Sequence, residues 1–161
     1  MQDAPARTLP EILADRIERG LLAPDPAQEA AAAPLERIRA EIARHPPPPK
    51  KGLRGLVGKA PRRDPVRGLY LWGGVGRGKS MLMDLFFESA PIERKRRVHF
   101  HAFMQEIHAG LHEARKTGVD DAIVPVAGDV IAHVDLLCFD EMQITDVADA
   151  MIVGRLFERL F

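Results

Sequence analysis

The segment from Gly73 to Ser80 combines four glycines, a lysine and a serine in a spacing that suits phosphate binding. It matches the pattern G-x-x-x-x-G-K-[ST] in full. Glycine permits the tight turn and close approach by which backbone N–H groups surround a triphosphate. A helix that starts near Gly78 adds free N–H groups and its positive dipole end. The predicted phosphate-binding residues are Gly73, Gly74, Val75, Gly76, Arg77, Gly78, Lys79 and Ser80.

Two of these residues carry chemistry that a plain glycine-rich turn does not need. Lys79 supplies a positive charge to the outer phosphates, and the Ser80 hydroxyl binds magnesium. The apolar run before the loop and the helical pattern after it supply the context that the motif requires. The sequence therefore predicts a nucleotide site rather than a simple strand-to-helix turn.

A second acidic site follows the apolar run from Val134 to Phe139, which ends in Asp140 and Glu141. A carboxylate at such a strand end holds magnesium directly or through water, so Asp140 joins Ser80 as a predicted metal ligand. Adjacent residues of a strand point to different sides, so Glu141 is placed to polarise an attacking water. Together with the phosphate loop, this pair predicts nucleotide hydrolysis, with Glu141 and Lys79 as catalytic residues.

The choice between ATP and GTP rests on elimination. The sequence has no [NT]-K-x-D motif for guanine, and Asp140 is followed by Glu-Met-Gln rather than by a glycine three residues later. No adenine-reading motif is visible either. ATP with Mg²⁺ is the predicted ligand.

These residues need a scaffold of alternating strands and helices. Strands are predicted over 69–72, 97–101 and 134–139, and helices over 79–87, 102–116, 128–134 and 145–161. Thr145 or Asp146 is the expected cap of the last helix. Such alternation predicts right-handed crossovers, a parallel sheet and an α/β fold.

The N-terminal part has a different texture. Residues 1–45 are predicted to be helical, with Asp25 as N-cap and Pro26 as first residue of a second helix that Pro34 kinks or splits. Residues 46–67 form a linker rich in proline, glycine and basic side chains. The predicted domain organisation is thus a helical segment (1–45), the linker (46–67) and an ATPase domain (68–161).

Composition excludes several function classes. The 161 residues carry 23 basic and 23 acidic side chains, so net charge implies no particular partner. The N-terminus lacks a signal peptide's apolar stretch and is too acidic for a transit peptide, and no apolar run is long enough for a membrane span. The single cysteine, Cys138, is expected to be a buried, inert thiol in a reducing cytoplasm.

Two other sites are possible from the residues. His99 with His101, or His108 with His112, have spacings that suit zinc, but no further ligand completes either set. The basic linker suits nucleic acid or anionic lipid, but it lacks interleaved aromatic residues, so a nucleic-acid partner is not favoured.

The blocks VRGLYLWGGVGRGKSMLMDLFF (66–87), RVHFHAFM (97–104) and LLCFDEMQITDVADAMIVGRLFERLF (136–161) closely resemble the ZapE/AFG1-like family of AAA+ ATPases. The segment LLAPDPAQ (21–28) resembles the family's opening segment. The resemblance implies an ATP- and magnesium-dependent ATPase with an αβα P-loop sandwich, a homo-oligomeric whole protein and a role in remodelling a protein assembly. Bacterial members are associated with the division ring and mitochondrial ones with protein quality control, and the absence of a transit peptide favours the bacterial, cytoplasmic branch.

The resemblance also implies that family members continue past residue 161 with a further core strand and catalytic arginines. The chain is therefore expected to be the N-terminal part of a longer protein that does not turn over ATP by itself. Two other functions stay open, a DNA-associated ATPase of the helicase-loader type and a remnant that does not hydrolyse nucleotide.

Overall fold

The structure is a computed structural model that describes residues 7–45, 66–74 and 76–160. In these residues the chain forms six helices and two strands: α1 (Leu9–Glu18), α2 (Pro26–Arg44), α3 (Lys79–Ser89), β1 (Lys95–His99), α4 (Phe100–Lys116), α5 (Ile123–His133), β2 (Leu136–Asp140) and α6 (Val147–Leu160). The chain divides into two compact units, residues 1–92 and 93–161.

The first unit is built from α1, α2 and α3, which pack against one another. Helix α1 begins with a capping box, in which the Thr8 side chain accepts from the Glu11 N–H and the Glu11 carboxylate accepts from the Thr8 N–H. The Glu36 carboxylate of α2 accepts from the Leu9 N–H at 2.9 Å and pairs with Arg39. The start of α1 is therefore tied to the middle of α2.

Helix α2 begins as predicted, with Asp25 as N-cap and Pro26 at the first turn. Of the two effects predicted for Pro34, a split of the helix is wrong, because α2 runs without interruption from Pro26 to Arg44 with Pro34 inside it, and a kink stays a prediction. Proline removes one intrahelical hydrogen bond. Buried residues on both sides of it, Ala32 and Leu35, keep the helix packed across that position.

Helix α3 confirms the predicted helix after the glycine-rich segment and buries Leu82, Leu85 and Phe86. The predicted strand at 69–72 is wrong, since these residues belong to no strand. A strand exists only through hydrogen bonds to a neighbour, and in the described ranges the sheet contains β1 and β2 alone. Without such a partner, Trp72 is 85% exposed and Tyr70 is 65% exposed.

The second unit contains the parallel pair β1 and β2, with Arg97 opposite Cys138 and His99 opposite Asp140. The predicted parallel sheet is thus confirmed in a small form. The strand predicted at 97–101 is shifted, because β1 covers Lys95–His99 and the chain enters α4 at Phe100. Phe100 is 2% exposed and belongs to the hydrophobic core against which α4 packs.

Helices α4, α5 and α6 surround a core formed by residues that recur at helical spacing. Its buried members are Phe100, Phe103, Met104, Ile107, Leu111, Ile123, Ala127, Val153 and Leu156. Helix α6 is capped by Asp146, whose Oδ1 accepts from the Ala148 N–H at 2.6 Å. Of the two predicted caps, Asp146 is therefore the one that makes this hydrogen bond.

The fold is a mixed helix–strand structure with a small parallel sheet, as the α/β prediction requires. The full αβα sandwich and the division into three predicted segments remain predictions. Most of the predicted linker, 46–67, lies outside the described residues. No helix in the described ranges is both long and apolar enough to cross a membrane.

Candidate functional site

The glycine-rich loop turns through the left-handed region of backbone space. Gly76 has φ +77° and Gly78 has φ +76°, values that side chains with a Cβ rarely adopt. Gly73, Gly74 and Arg77 complete the described part of the loop, and Val75 lies outside it. Gly76 and Gly78 are therefore predicted loop positions at which the turn needs glycine.

Lys79 is the first residue of α3, and its side chain folds back over the loop. Its Nζ donates to the Gly73 carbonyl at 2.9 Å and to the Gly74 carbonyl at 2.7 Å. The ammonium group is therefore held over the start of the loop by two backbone oxygens. Both are neutral acceptors, which the more strongly attracting oxygens of a phosphate could replace.

The start of α3 has no side-chain cap, since its N-cap residue is Gly78. The backbone N–H groups of a first turn carry partial positive charge and need acceptors from outside the helix. With the ammonium group of Lys79 beside them, they make a donor set suited to a polyphosphate. The residues present thus fit a nucleoside triphosphate with its magnesium. Ser80, the second residue of α3, carries a hydroxyl oxygen, a ligand of the type that magnesium accepts.

Two residues outside the motif contact the loop, and sequence reasoning did not assign them this role. Gln28 Nε2 donates to the Arg77 carbonyl at 3.3 Å, and the Arg77 guanidinium lies 3.5 Å from Asp25 Oδ1. Asp25 is the N-cap of α2, and Gln28 lies in its first turn. Their one sequence signal is that the segment 21–28 resembles the opening segment of the family.

Asp140 is the last residue of β2, and its side chain is 17% exposed. Its Oδ2 accepts from Arg97 Nη2, on the neighbouring strand, at 2.8 Å. A carboxylate at this strand end fits the predicted metal ligand, but a magnesium ion would share it with the guanidinium or replace that partner. Sequence reasoning missed Arg97, since only the register of β1 against β2 brings it to Asp140.

The position of Asp140 is fixed by the residue before it. The Phe139 ring makes edge contacts with Phe100 at a centroid distance of 5.5 Å and with Phe103 at 4.8 Å. It also stacks with Phe157 at 6.3 Å. These rings belong to two helices, α4 and α6, which together hold the end of β2.

Glu141 lies just past the strand and is exposed. Its φ of +52° makes it the only described residue other than glycine in the left-handed region. The expected alternation along a strand is therefore not what orients Glu141, because the strand ends one residue earlier. Such a conformation costs roughly 1–2 kcal/mol for a residue with a Cβ, and it turns the chain sharply after Asp140.

The histidine pairs do not form a zinc site in the described part of the chain. His108 Nε2 lies 2.7 Å from Asp149 Oδ1, and His101 contacts Gln105. No group of three or more His, Cys, Asp or Glu residues in the described ranges could hold a metal ion. The contact between His108 and Asp149 thus connects α4 to α6.

Cys138 is buried, as predicted. Burial raises the pKa of its thiol to about 11, from 9.0. The thiol therefore stays protonated and weakly nucleophilic at neutral pH.

Comparisons with known proteins point to one family. The family model for AFG1-like ATPases matches residues 7–161. Cell division protein ZapE of Escherichia coli K12 is 44% identical over 153 residues, which cover 90% of this chain and 40% of the relative. An uncharacterized Schizosaccharomyces pombe protein, C115.02c, is 33% identical over 93% of this chain and 39% of its own length.

A third relative, lactation elevated protein 1 homolog B of Danio rerio, is 44% identical over 60% of this chain and 21% of its own length. The chain thus spans about 40% of the length of the first relatives it matches. No solved structure matches it significantly.

Proposed function

Because the chain belongs to the AFG1-like ATPase family, we propose that it binds ATP with magnesium through Gly73–Ser80 and is part of an ATP-hydrolysing enzyme. One observation carries this proposal. The left-handed glycines of a complete phosphate-loop motif lead directly into an uncapped helix whose first residue, Lys79, reaches back over the loop. Each feature is a donor or a turn that a polyphosphate requires.

The loop residues divide the work of binding. The backbone N–H groups of the loop and of the first turn of α3 surround the phosphates, and Lys79 neutralises the outer phosphate oxygens. Ser80 and Asp140 are the proposed magnesium ligands. A bound magnesium ion would supply charge neutralisation of the triphosphate at this point.

Glu141 is the proposed general base. An exposed carboxylate directly after the metal-ligand aspartate is a suitable acceptor for the proton of an attacking water. Its left-handed backbone fixes the direction in which the chain leaves β2.

The role of Glu141 is tested by single-turnover hydrolysis with protein in excess over labelled ATP, in a preparation whose parent protein hydrolyses ATP measurably. We expect Glu141→Gln to keep ATP bound and to slow phosphate release by about a hundredfold. The matched control is Glu158→Gln on α6, an exposed glutamate of the same unit, which should hydrolyse at the parental rate. Equal rates for the parent and Glu141→Gln would exclude Glu141 as the base.

We propose further that the enzyme is cytoplasmic and homo-oligomeric and remodels a protein assembly. The support is the name of its Escherichia coli relative, a cell division protein, which makes the division ring the proposed assembly. A fluorescent fusion of the chain carrying Glu141→Gln should concentrate at mid-cell in dividing bacteria, because it would stay ATP-bound. Uniform fluorescence in cells with intact division rings would contradict this part of the proposal.

A further inference from the structure

We propose that the first turn of α2 is part of the nucleotide site, with Gln28 and Asp25 as positioning residues for the phosphate loop. The inference rests on the proposed function and deepens it. It links nucleotide binding to the N-terminal helical segment, which the motif alone does not include.

Gln28 contacts the loop at the peptide that joins Arg77 to Gly78. Its Nε2 donates to the Arg77 carbonyl at 3.3 Å. That carbonyl and the Gly78 N–H belong to one planar trans peptide, so they point in opposite directions. Holding the carbonyl on the α2 side therefore directs the Gly78 N–H away from α2.

Gln28 also closes the space beside Gly78. A Cβ built on Gly78 would lie 2.6 Å from Gln28 Nε2 and 3.0 Å from its Cδ. The carboxamide thus packs directly on the Cα of the residue that caps α3. It supports the left-handed turn at Gly78, where the loop becomes the helix.

Asp25 makes a second contact with the loop, through the side chain of Arg77. Its Oδ1 accepts from the Ala27 N–H at 2.9 Å and lies 3.5 Å from the Arg77 guanidinium. The same carboxylate therefore caps α2 and holds the side chain of a loop residue. Since Asp25 is the N-cap of α2 and Gln28 lies in its first turn, both contacts come from the start of the same helix.

The helix that carries these contacts is itself well packed. Helix α2 packs against α3 and against α1, and it buries Ala32, Leu35 and Ile42. A loop held from such a helix loses less conformational freedom when it binds a ligand, which favours binding. Removing the contacts should then weaken nucleotide binding without unfolding the protein.

The test compares Gln28→Ala, Gln28→Glu and a matched control, Glu29→Ala, which changes the next exposed residue of the same helix. Affinity for ADP and for Mg-ATP is measured by calorimetry and stability by thermal unfolding. We expect Gln28→Ala to weaken binding by about fivefold, the worth of one typical hydrogen bond. Gln28→Glu should weaken it further, because its carboxylate repels both the Arg77 carbonyl and the phosphates. The control should bind like the parent, and all three should unfold at nearly the parental temperature.

A second readout does not depend on nucleotide. Backbone hydrogen exchange across residues 76–81 is measured in the nucleotide-free parent and in each variant. We expect faster exchange in Gln28→Ala than in Glu29→Ala. This measurement separates the two proposals, because a parent that fails to bind nucleotide refutes the proposed function, whereas unchanged exchange refutes the positioning role.

Asp25 is tested by a double-mutant cycle with Arg77. Asp25→Asn keeps an oxygen for the helix cap but removes the charge that faces Arg77. Its effect on nucleotide affinity should be present in the parent and absent in the Arg77→Ala background. Equal effects in both backgrounds would refute the positioning role of Asp25.

Discussion

Two apolar segments of this chain have similar compositions and different structures. The segment 136–140 pairs in parallel with β1 and buries Cys138. The segment 69–72 belongs to no strand, and its Trp72 is 85% exposed. The first segment ends in the proposed metal ligand, Asp140, and the second directly precedes the proposed phosphate loop, so these two groups have very different structural supports.

The difference shows that a partner, more than composition, makes a strand. β2 is hydrogen-bonded along its length to β1 and covered by the rings of α4 and α6. The loop after 69–72 is instead contacted by Lys79, the first residue of α3, and by Gln28 in the first turn of α2. Two kinds of measurement test this difference, namely the stability of each segment and the reactivity or binding of the groups that it carries.

The largest effect is expected from removing the ring that anchors β2. Phe139→Ala should lower the free energy of unfolding by about 3 kcal/mol, since it removes contacts with three aromatic rings. Trp72→Ala, the matched change in the exposed segment, should alter it by less than about 0.5 kcal/mol. Urea unfolding followed by circular dichroism measures both. Similar losses for the two variants would mean that the segments are equally supported.

The reactivity of Cys138 reports on the same burial. With the pKa of its thiol raised to about 11 from 9.0, the native thiolate at pH 8 should be about a hundredfold scarcer than in the unfolded chain. Alkylation at pH 8 should therefore be slow in buffer and fast in urea. The raised pKa also predicts a stability contribution that is complete below pH 9 and declines as pH rises toward 11. Fast native labelling would show that β2 opens readily.

The smallest effect concerns the cation that pairs with Asp140. Arg97→Gln removes the guanidinium that donates to its Oδ2, so magnesium would meet less competition for the carboxylate. We expect the magnesium concentration for half-maximal ATP binding to fall by about threefold, as befits a partly exposed ion pair. Lys116→Gln, which removes an exposed ion pair of α4, is the control. A rise in the magnesium concentration required would instead show that Arg97 positions Asp140 for magnesium binding.

The sequence predicted the features that short-range chemistry decides. The glycine positions, the start of α3 at Lys79 and the cap of α2 by Asp25 follow from local turn and helix rules. The features that failed or were missed depend on partners distant in sequence. No strand pairs with 69–72 in the described residues, and Gln28 meets Arg77 across 49 positions of the chain.

Two finer differences have similar origins. Arg97 reaches Asp140 only through the register of β1 and β2, which periodicity does not specify. The turn at Glu141 breaks the strand alternation because its φ is +52°, which a non-glycine residue rarely adopts and a sequence pattern does not reveal.

The central claim is that Gly73–Ser80 binds ATP with magnesium, and calorimetric titration of Mg-ATP tests it most directly. The parent chain should bind, and Lys79→Ala should lose measurable binding because the charge that meets the outer phosphates is gone. Lys116→Ala should bind like the parent. Unchanged affinity in a Lys79→Ala variant that unfolds at the parental temperature would contradict the claim.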